Sequence, residues 1–336
     1  MRSSTSNSDP LEPGANGVRT WALALTLFAA AVIGWETHWR TRGLEPSFGR
    51  DQEIWLQQRT TLAADGIALV GSSRVRSGVE PVLLASLLDR PVTQLGINGS
   101  SSLPVLENIA EDEGFRGTVV ADVFPPKFFD AKRRGEIAAE LFVNAYTKGR
   151  SPFDIAEAAL GREVDARLAS HHSAIGLMPI LSSLRSRTPL RTPYYRGEET
   201  GFLRQDFRGE EVVVWGEGTP FMPVESPLDS RGVMRLVWRT EAAIQKIQRR
   251  GGDVILLRFP STRVFLQHEQ NYFPREQYWD AIVRGTSALT VHFEDEPAIA
   301  RLIPPDGSHL DYRDATRMTR FVAELIQTRQ RTTRLR

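Results

Sequence analysis

From Asp65 onward, short apolar runs alternate with amphipathic stretches, and this pattern constrains the fold more than any other feature of the 336 residues. IALVG (67–71), VTQLGI (92–97) and TVVADVF (118–124) have the length and character of buried strands. VEPVLLASLLD (79–89) and LPVLENIAEDE (103–113) read as helices between them, with Pro81 suited to a first turn and Gly114 to a C-terminal cap. The pattern resumes after residue 232. Leu236, Val237, Ala243, Ile244 and Ile247 recur at helical spacing within 233–249, DVILLRF (253–259) and ALTVHFE (288–294) are the fourth and fifth strands, and 315–326 is a last helix. Parallel strands need crossover connections, so this order predicts an α/β three-layer sandwich around a central five-stranded parallel sheet.

Residues 130–230 break the pattern. Helical material at 131–146 and 155–170 leads into 187–230, which is rich in Gly, Pro and charge and reads as loops with a hairpin. The whole stretch is expected to be an insertion in a domain spanning 65–328, followed by a basic tail at 329–336. At the other end, residues 1–17 are polar and read as a disordered tail. TWALALTLFAAAVIGW (20–35) then carries no charge between Arg19 and Glu36. As a helix this run spans about 24 Å, short of a hydrocarbon core of roughly 30 Å unless its flanks extend it. Trp21 at one end and Trp35 and Trp39 at the other suit the two interfaces.

A transmembrane anchor at 18–39 is therefore the expectation. A signal peptide ending at Ala29-Ala30-Ala31 and a buried helix are the competing readings. Arginines flank both ends of the run, so charge does not set orientation; the N-terminal position of the run places the larger part of the chain outside the cytoplasm, on the periplasmic side of the inner or plasma membrane. Residues 40–64 read as a connector with helical character, with Trp55 and Leu56 as apolar anchors. The net charge of +1 gives no field that would draw nucleic acid, and the absence of cysteine removes disulfides, thiolate metal sites and cysteine nucleophiles.

Two motifs could carry chemistry. The first predicted strand ends in Gly71-Ser72-Ser73-Arg74. Ligands of open α/β sheets bind at the carboxyl ends of strands, so a serine there can stand exposed beside backbone N–H donors; the same tripeptide also suits an ordinary serine-rich turn. The second motif is IPPDGSHLDY (303–312). Asp306 and His309, three residues apart, can project together, so that the carboxylate orients the imidazole and the free ring nitrogen accepts a hydroxyl proton. Pro-Pro-Asp-Gly is equally good turn chemistry.

A serine after the first strand, paired with Asp-x-x-His before the last helix, resembles the SGNH (GDSL-like) hydrolase family over roughly 67–124 and 253–326. The resemblance implies a flavodoxin-like sheet and a Ser-His-Asp triad of Ser73, His309 and Asp306, with Ser72 in place of the family's usual Asp. It implies an oxyanion hole from the backbone of Ser73 and of Gly99 in QLGINGSS (94–101), with Asn98 beside it. One block departs: VVADVFPPKFF (119–129) lacks the asparagine that serves the family as a third oxyanion donor. The GSSR block, the anchor and the insertion are most similar to the membrane-anchored branch, which includes alginate acetylation and D-alanine transfer proteins. The implied function is a serine esterase or O-acyl (acetyl) transferase acting on a surface polysaccharide or another acyl ester. A multi-span membrane acyltransferase is the implied partner, and neither cofactor nor metal is required. A non-catalytic assembly or binding component of a polysaccharide export or modification system is the alternative.

Other residues have competing readings. Arg74 and Arg258, near strand ends, could bind an anionic substrate or sit in surface salt bridges. His171-His172 suits a surface loop, and His292 with Glu294, Asp295 and Glu296 a solvated acidic loop. Tyr194, Tyr195, Phe202 and Trp215 could stack on sugars or pack under a loop.

Overall fold

Five parallel strands, β1 (Ile67–Gly71), β2 (Val92–Gly96), β3 (Thr118–Asp122), β6 (Asp253–Arg258) and β7 (Leu289–His292), form one sheet in the order β2-β1-β3-β6-β7. A separate antiparallel hairpin pairs β4 (Tyr195–Gly197) with β5 (Leu203–Gln205), within the stretch read as loops with a hairpin. The computed structural model describes residues 15–187, 190, 193–207 and 226–334. Residues 1–14 of the expected tail at 1–17, residues 335–336 of the basic tail, and Trp215 lie outside the described residues, while residues 15–17 are not a tail but the first turn of helix Ala15–Arg40.

Alternation along the strands builds two cores. Ala68, Val70, Val119, Ala121, Val254 and Leu256 face one side; Ile67, Leu69, Val120, Ile255 and Leu257 face the other. The first core is closed by helices Leu103–Ala110, Ser230–Arg249 and Trp279–Gly285, through Leu106, Ile109, Val237, Ile244 and Ile282. The second is closed by Pro81–Leu88 and Tyr312–Arg334, through Leu84, Met318, Val322 and Ile326. Because both faces are covered, the strands read as continuous apolar runs in the sequence.

The strand order places a switch point between β1 and β3. The chain leaves β1 toward β2 on one side, then returns past β1 to β3 on the other. The crevice beyond the carboxyl ends of these two strands is where such sheets bind ligands.

Several elements differ from the reading of the sequence. The helical character and the two apolar anchors expected of the connector are present, but its role is larger: helix Asp51–Thr60 buries Ile54, Trp55 and Leu56, and the Trp55 indole donates to the Leu95 carbonyl at 3.0 Å. Phe142 and Tyr146 of helix Arg134–Lys148, inside the stretch read as an insertion, pack edge-on against Trp55. The last helix does not stop at 326 but continues to Arg334, absorbing most of the basic tail, and Arg329 pairs with Asp253 at 3.1 Å. Helices Arg263–Tyr272 and Trp279–Gly285 lie in a stretch where no element is expected from the sequence.

All of the above lies in the larger of two compact units, Ser47–Ala166 with Pro193–Arg336. The smaller unit joins Met1–Pro46 to Arg167–Thr192. Its main element is helix Ala15–Arg40, of which Gly17–Arg40 is long and apolar enough to cross a membrane. The helix outruns the uncharged stretch because Glu36 does not end it. The Glu36 carboxylate accepts from the backbone N–H of Ala169 (2.9 Å) and Ser170 (2.8 Å), and Trp39 packs with Leu44, Ala169 and Ile175.

Leu256 is fully buried in β6, the strand between β3 and β7. Leu256→Ala is expected to lower stability by about 2–5 kcal/mol through lost burial and a residual cavity, as read from the denaturant midpoint of the detergent-solubilised chain.

Candidate active site

Gly71 closes β1 at a φ of +143°, and a Cβ on it would lie 2.5 Å from the Cβ of Asp122. Only a residue without a side chain lets the end of β1 approach β3 this closely in this conformation. Ser72 follows as the N-cap of helix Ser73–Gly78, its Oγ accepting from Arg74 N at 3.1 Å. The Ser72 amide donates to Asp122 Oδ2 at 3.2 Å, and its hydroxyl donates to the same oxygen. Where the resemblance would put an aspartate, this chain has a serine held by an aspartate from β3.

Ser73 is thereby the first residue of the helix, partly exposed, with an N–H that donates to no acceptor among the described residues. Its Oγ lies 2.8 Å from His309 Nε2. The other ring nitrogen, Nδ1, lies 2.7 Å from Asp306 Oδ2. Asp306 is completely buried, and its second oxygen accepts from the amides of Ser308 (2.9 Å) and His309 (2.7 Å). Burial pushes this carboxyl up. The neighbouring His309 and the hydrogen bonds from its ring and the two amides outweigh burial and hold it below the ordinary range. An ionised Asp306 fixes the tautomer with the proton on Nδ1, which leaves Nε2 as an acceptor facing the serine hydroxyl.

The structure thus brings together Ser73, His309 and Asp306. Gly99 sits in the loop after β2 at a φ of +71°, and its N–H is likewise unpaired among the described residues. Asn98 is different: its side-chain amide turns to Asp51, 3.4 Å away.

Arg74 and Arg258 require correction. They neither lie on the surface nor stand free for substrate: both are buried, at 1% and 3% exposure, and both pair with the buried Glu269. Arg74 donates to Glu269 at 2.7 Å and to Ser308 Oγ at 3.1 Å, and its guanidinium lies 3.9 Å from the centre of the Phe124 ring. A buried arginine needs its charge met; Glu269 lies between the two guanidiniums, and the buried Asp122 interacts electrostatically with both as well. Burial raises the Glu269 carboxyl, but Arg258 and Arg74 hold it low. Asp122 is the opposite case: burial dominates and pushes its carboxyl up despite Ser72, Arg74 and Arg258.

Phe124 occupies the segment where the resemblance would place the missing asparagine, and it offers a ring to Arg74 rather than an amide to a substrate. Asp122, Glu269 and Ser308 were missed in the sequence. Asp122 left a trace, as a charge inside an otherwise apolar strand run. Glu269 left none, because its pairing with Arg74 spans 195 residues of sequence and has no local pattern.

His292 is also not part of a solvated loop. It is buried between Trp279 and Phe293, and burial, with Arg258 and Arg275 nearby, pulls its pKa down to about 3, so it is neutral. His172 is buried as well, its Nδ1 accepting from Ala174 N at 3.1 Å. Tyr194 stacks on Phe207 and Phe202 is buried, which favours packing over sugar contacts for these two. Among the described residues no group of three or more His, Asp or Glu side chains could hold a metal ion.

Compared with protein-family models and with curated proteins, the chain matches none.

Asp306 titrates below its ordinary value of 3.8, so its stabilising contribution is present above that pH and is lost as pH falls toward the lower, folded value. Asp306→Asn is therefore expected to cost about 1–3 kcal/mol at pH 7. The difference from the parent chain should shrink below pH 3.8, as measured by urea unfolding across a pH series.

Proposed function

We propose that this chain is an SGNH-like serine esterase or O-acyltransferase. The observation that carries the reading is the continuous hydrogen-bonded line from Ser73 Oγ through His309 to Asp306, with separations of 2.8 and 2.7 Å. Such a line is the arrangement that activates a hydroxyl.

In the proposed reaction His309 Nε2 takes the Ser73 proton as Oγ attacks the ester carbonyl. The unpaired N–H groups of Ser73 and Gly99 are the candidate donors to the resulting oxyanion. Collapse expels the alcohol, which receives the proton from His309, and leaves an acyl group on Ser73. Water or a sugar hydroxyl then gives its proton to His309 and takes the acyl group, regenerating Ser73. Asp306 stays ionised throughout and stabilises the imidazolium. The resemblance to membrane-anchored polymer-modifying relatives, together with a helix able to span a bilayer, supports an extracytoplasmic polysaccharide as substrate, O-acetyl as the group and a multi-span acyltransferase as donor.

One observation favours a non-catalytic role in the same kind of system. The chain after β3 runs Val123-Phe124-Pro125-Pro126, so no asparagine is available there as a third oxyanion donor. Loss of such a donor costs about a hundred- to a thousand-fold in rate.

A fluorophosphonate probe and p-nitrophenyl acetate decide between the two. The full-length chain in detergent should react with both, and Ser73→Ala and His309→Ala should each lower hydrolysis by about a thousand-fold or more. A folded parent chain that neither reacts with the probe nor hydrolyses the ester would establish the non-catalytic role.

A further inference from the structure

Helix Leu177–Ser186 belongs to the smaller unit, and none of its residues is buried. Leu177, Met178, Leu181 and Leu184 are 70%, 73%, 49% and 71% exposed. Positions 177, 181 and 184 follow one helical face, and 178 adjoins it. Ser182, Ser183 and Ser186 lie on the other side, and Arg185 and Arg187 stand at the C-terminal end. Four large apolar side chains left in water on one face of a ten-residue helix need a cover.

The same unit indicates what covers them. The stretch just before this helix is fastened to the end of the long apolar helix Ala15–Arg40. Glu36 accepts the amides of Ala169 and Ser170, Arg40 donates to the Arg167 carbonyl, and Trp39 packs with Ala169 and Ile175. Gly176 alone separates Ile175 from Leu177, and two Cα–Cα steps reach at most about 8 Å. The apolar face therefore starts within about 8 Å of residues packed on Trp39, at the level where a membrane span would leave the hydrocarbon.

We infer that Leu177–Ser186 is an in-plane helix lying in the lipid interface, a second membrane contact beside the span. Leu177, Met178, Leu181 and Leu184 enter the acyl boundary, and Arg185 and Arg187 meet headgroup phosphates. This inference rests on the anchor reading of Ala15–Arg40. It adds a contact that would hold the smaller unit at a set angle to the bilayer instead of leaving it on a free tether.

Because the chain has no cysteine, single cysteines report without background. Full-length Leu25→Cys, Leu181→Cys and Ser186→Cys variants, each labelled with an environment-sensitive nitrobenzoxadiazole dye, are reconstituted in phosphatidylcholine–phosphatidylglycerol vesicles containing nitroxide lipids. The expected result is quenching at Leu25, with blue-shifted emission at Leu181 and at least about twofold more quenching there than at Ser186. Quenching at Leu25 with Leu181 as aqueous as Ser186 overturns the inference and leaves the anchor intact. No quenching at Leu25 means the anchor reading has failed and the inference falls with it. A Leu181 dye shielded from water but not quenched, with shielding that grows as the protein-to-lipid ratio rises, would mean that a second copy covers this face, and that too overturns the inference.

Discussion

His309 meets Ser73 across 236 residues of sequence, and the contact depends on how the sheet is wound. Both residues follow elements whose ends converge beyond the carboxyl edge of the strands: Ser73 directly after β1, His309 in the turn before the last helix. A parallel sheet with its switch point beside β1 gathers such loops on one side. The hydrogen bond is short in space and long in sequence, so it depends on the tertiary packing that brings the two segments together. Asp306, by contrast, is local to His309. It is fixed by two backbone amides as well as the ring, and it brings the imidazole to the serine already oriented.

Beneath the serine lies a second charged layer with a structural role. Glu269 bridges Arg74 and Arg258, Asp122 holds Ser72, and Arg74 also reaches Ser308, next to His309. Arg74 thus links the two halves of the site, the helix that begins with Ser73 and the turn that carries His309. Removing one member of such a network would leave an unpaired buried charge, which costs about 3–5 kcal/mol. The network fixes the backbone on either side of Ser73 through Ser72 and Arg74. Asp122, on the neighbouring strand, accepts from both the amide and the hydroxyl of Ser72, and Gly71 makes room for it.

The sheet was legible in the sequence because burial on both faces forces continuous apolar runs, and all five strands fall within a residue or two of their expected positions. Ser73, Asp306 and His309 were legible because each sits in a short block with its own turn chemistry. In Asp51–Thr60 the helical character and the anchors Trp55 and Leu56 were legible; the indole's hydrogen bond to the Leu95 carbonyl, a contact across 40 residues, was not. The arginines were misplaced because their partner, Glu269, lies 195 residues from Arg74, and charge pairing at that distance leaves no periodicity. Asn98 sits beside Gly99 in sequence, but the loop turns its side chain toward Asp51. The side-chain direction was not legible, although the position was.

Under the proposed function the Ser73 hydroxyl, poised by His309, forms the covalent intermediate. Acid-quenching the full-length chain during turnover of p-nitrophenyl acetate, followed by peptide mapping with tandem mass spectrometry, locates the acetyl group directly. The expected result is an acetyl ester on Ser73 that is absent when His309 is replaced by alanine. An acetyl group found only on other residues, or the same Ser73 ester formed equally without His309, would contradict it.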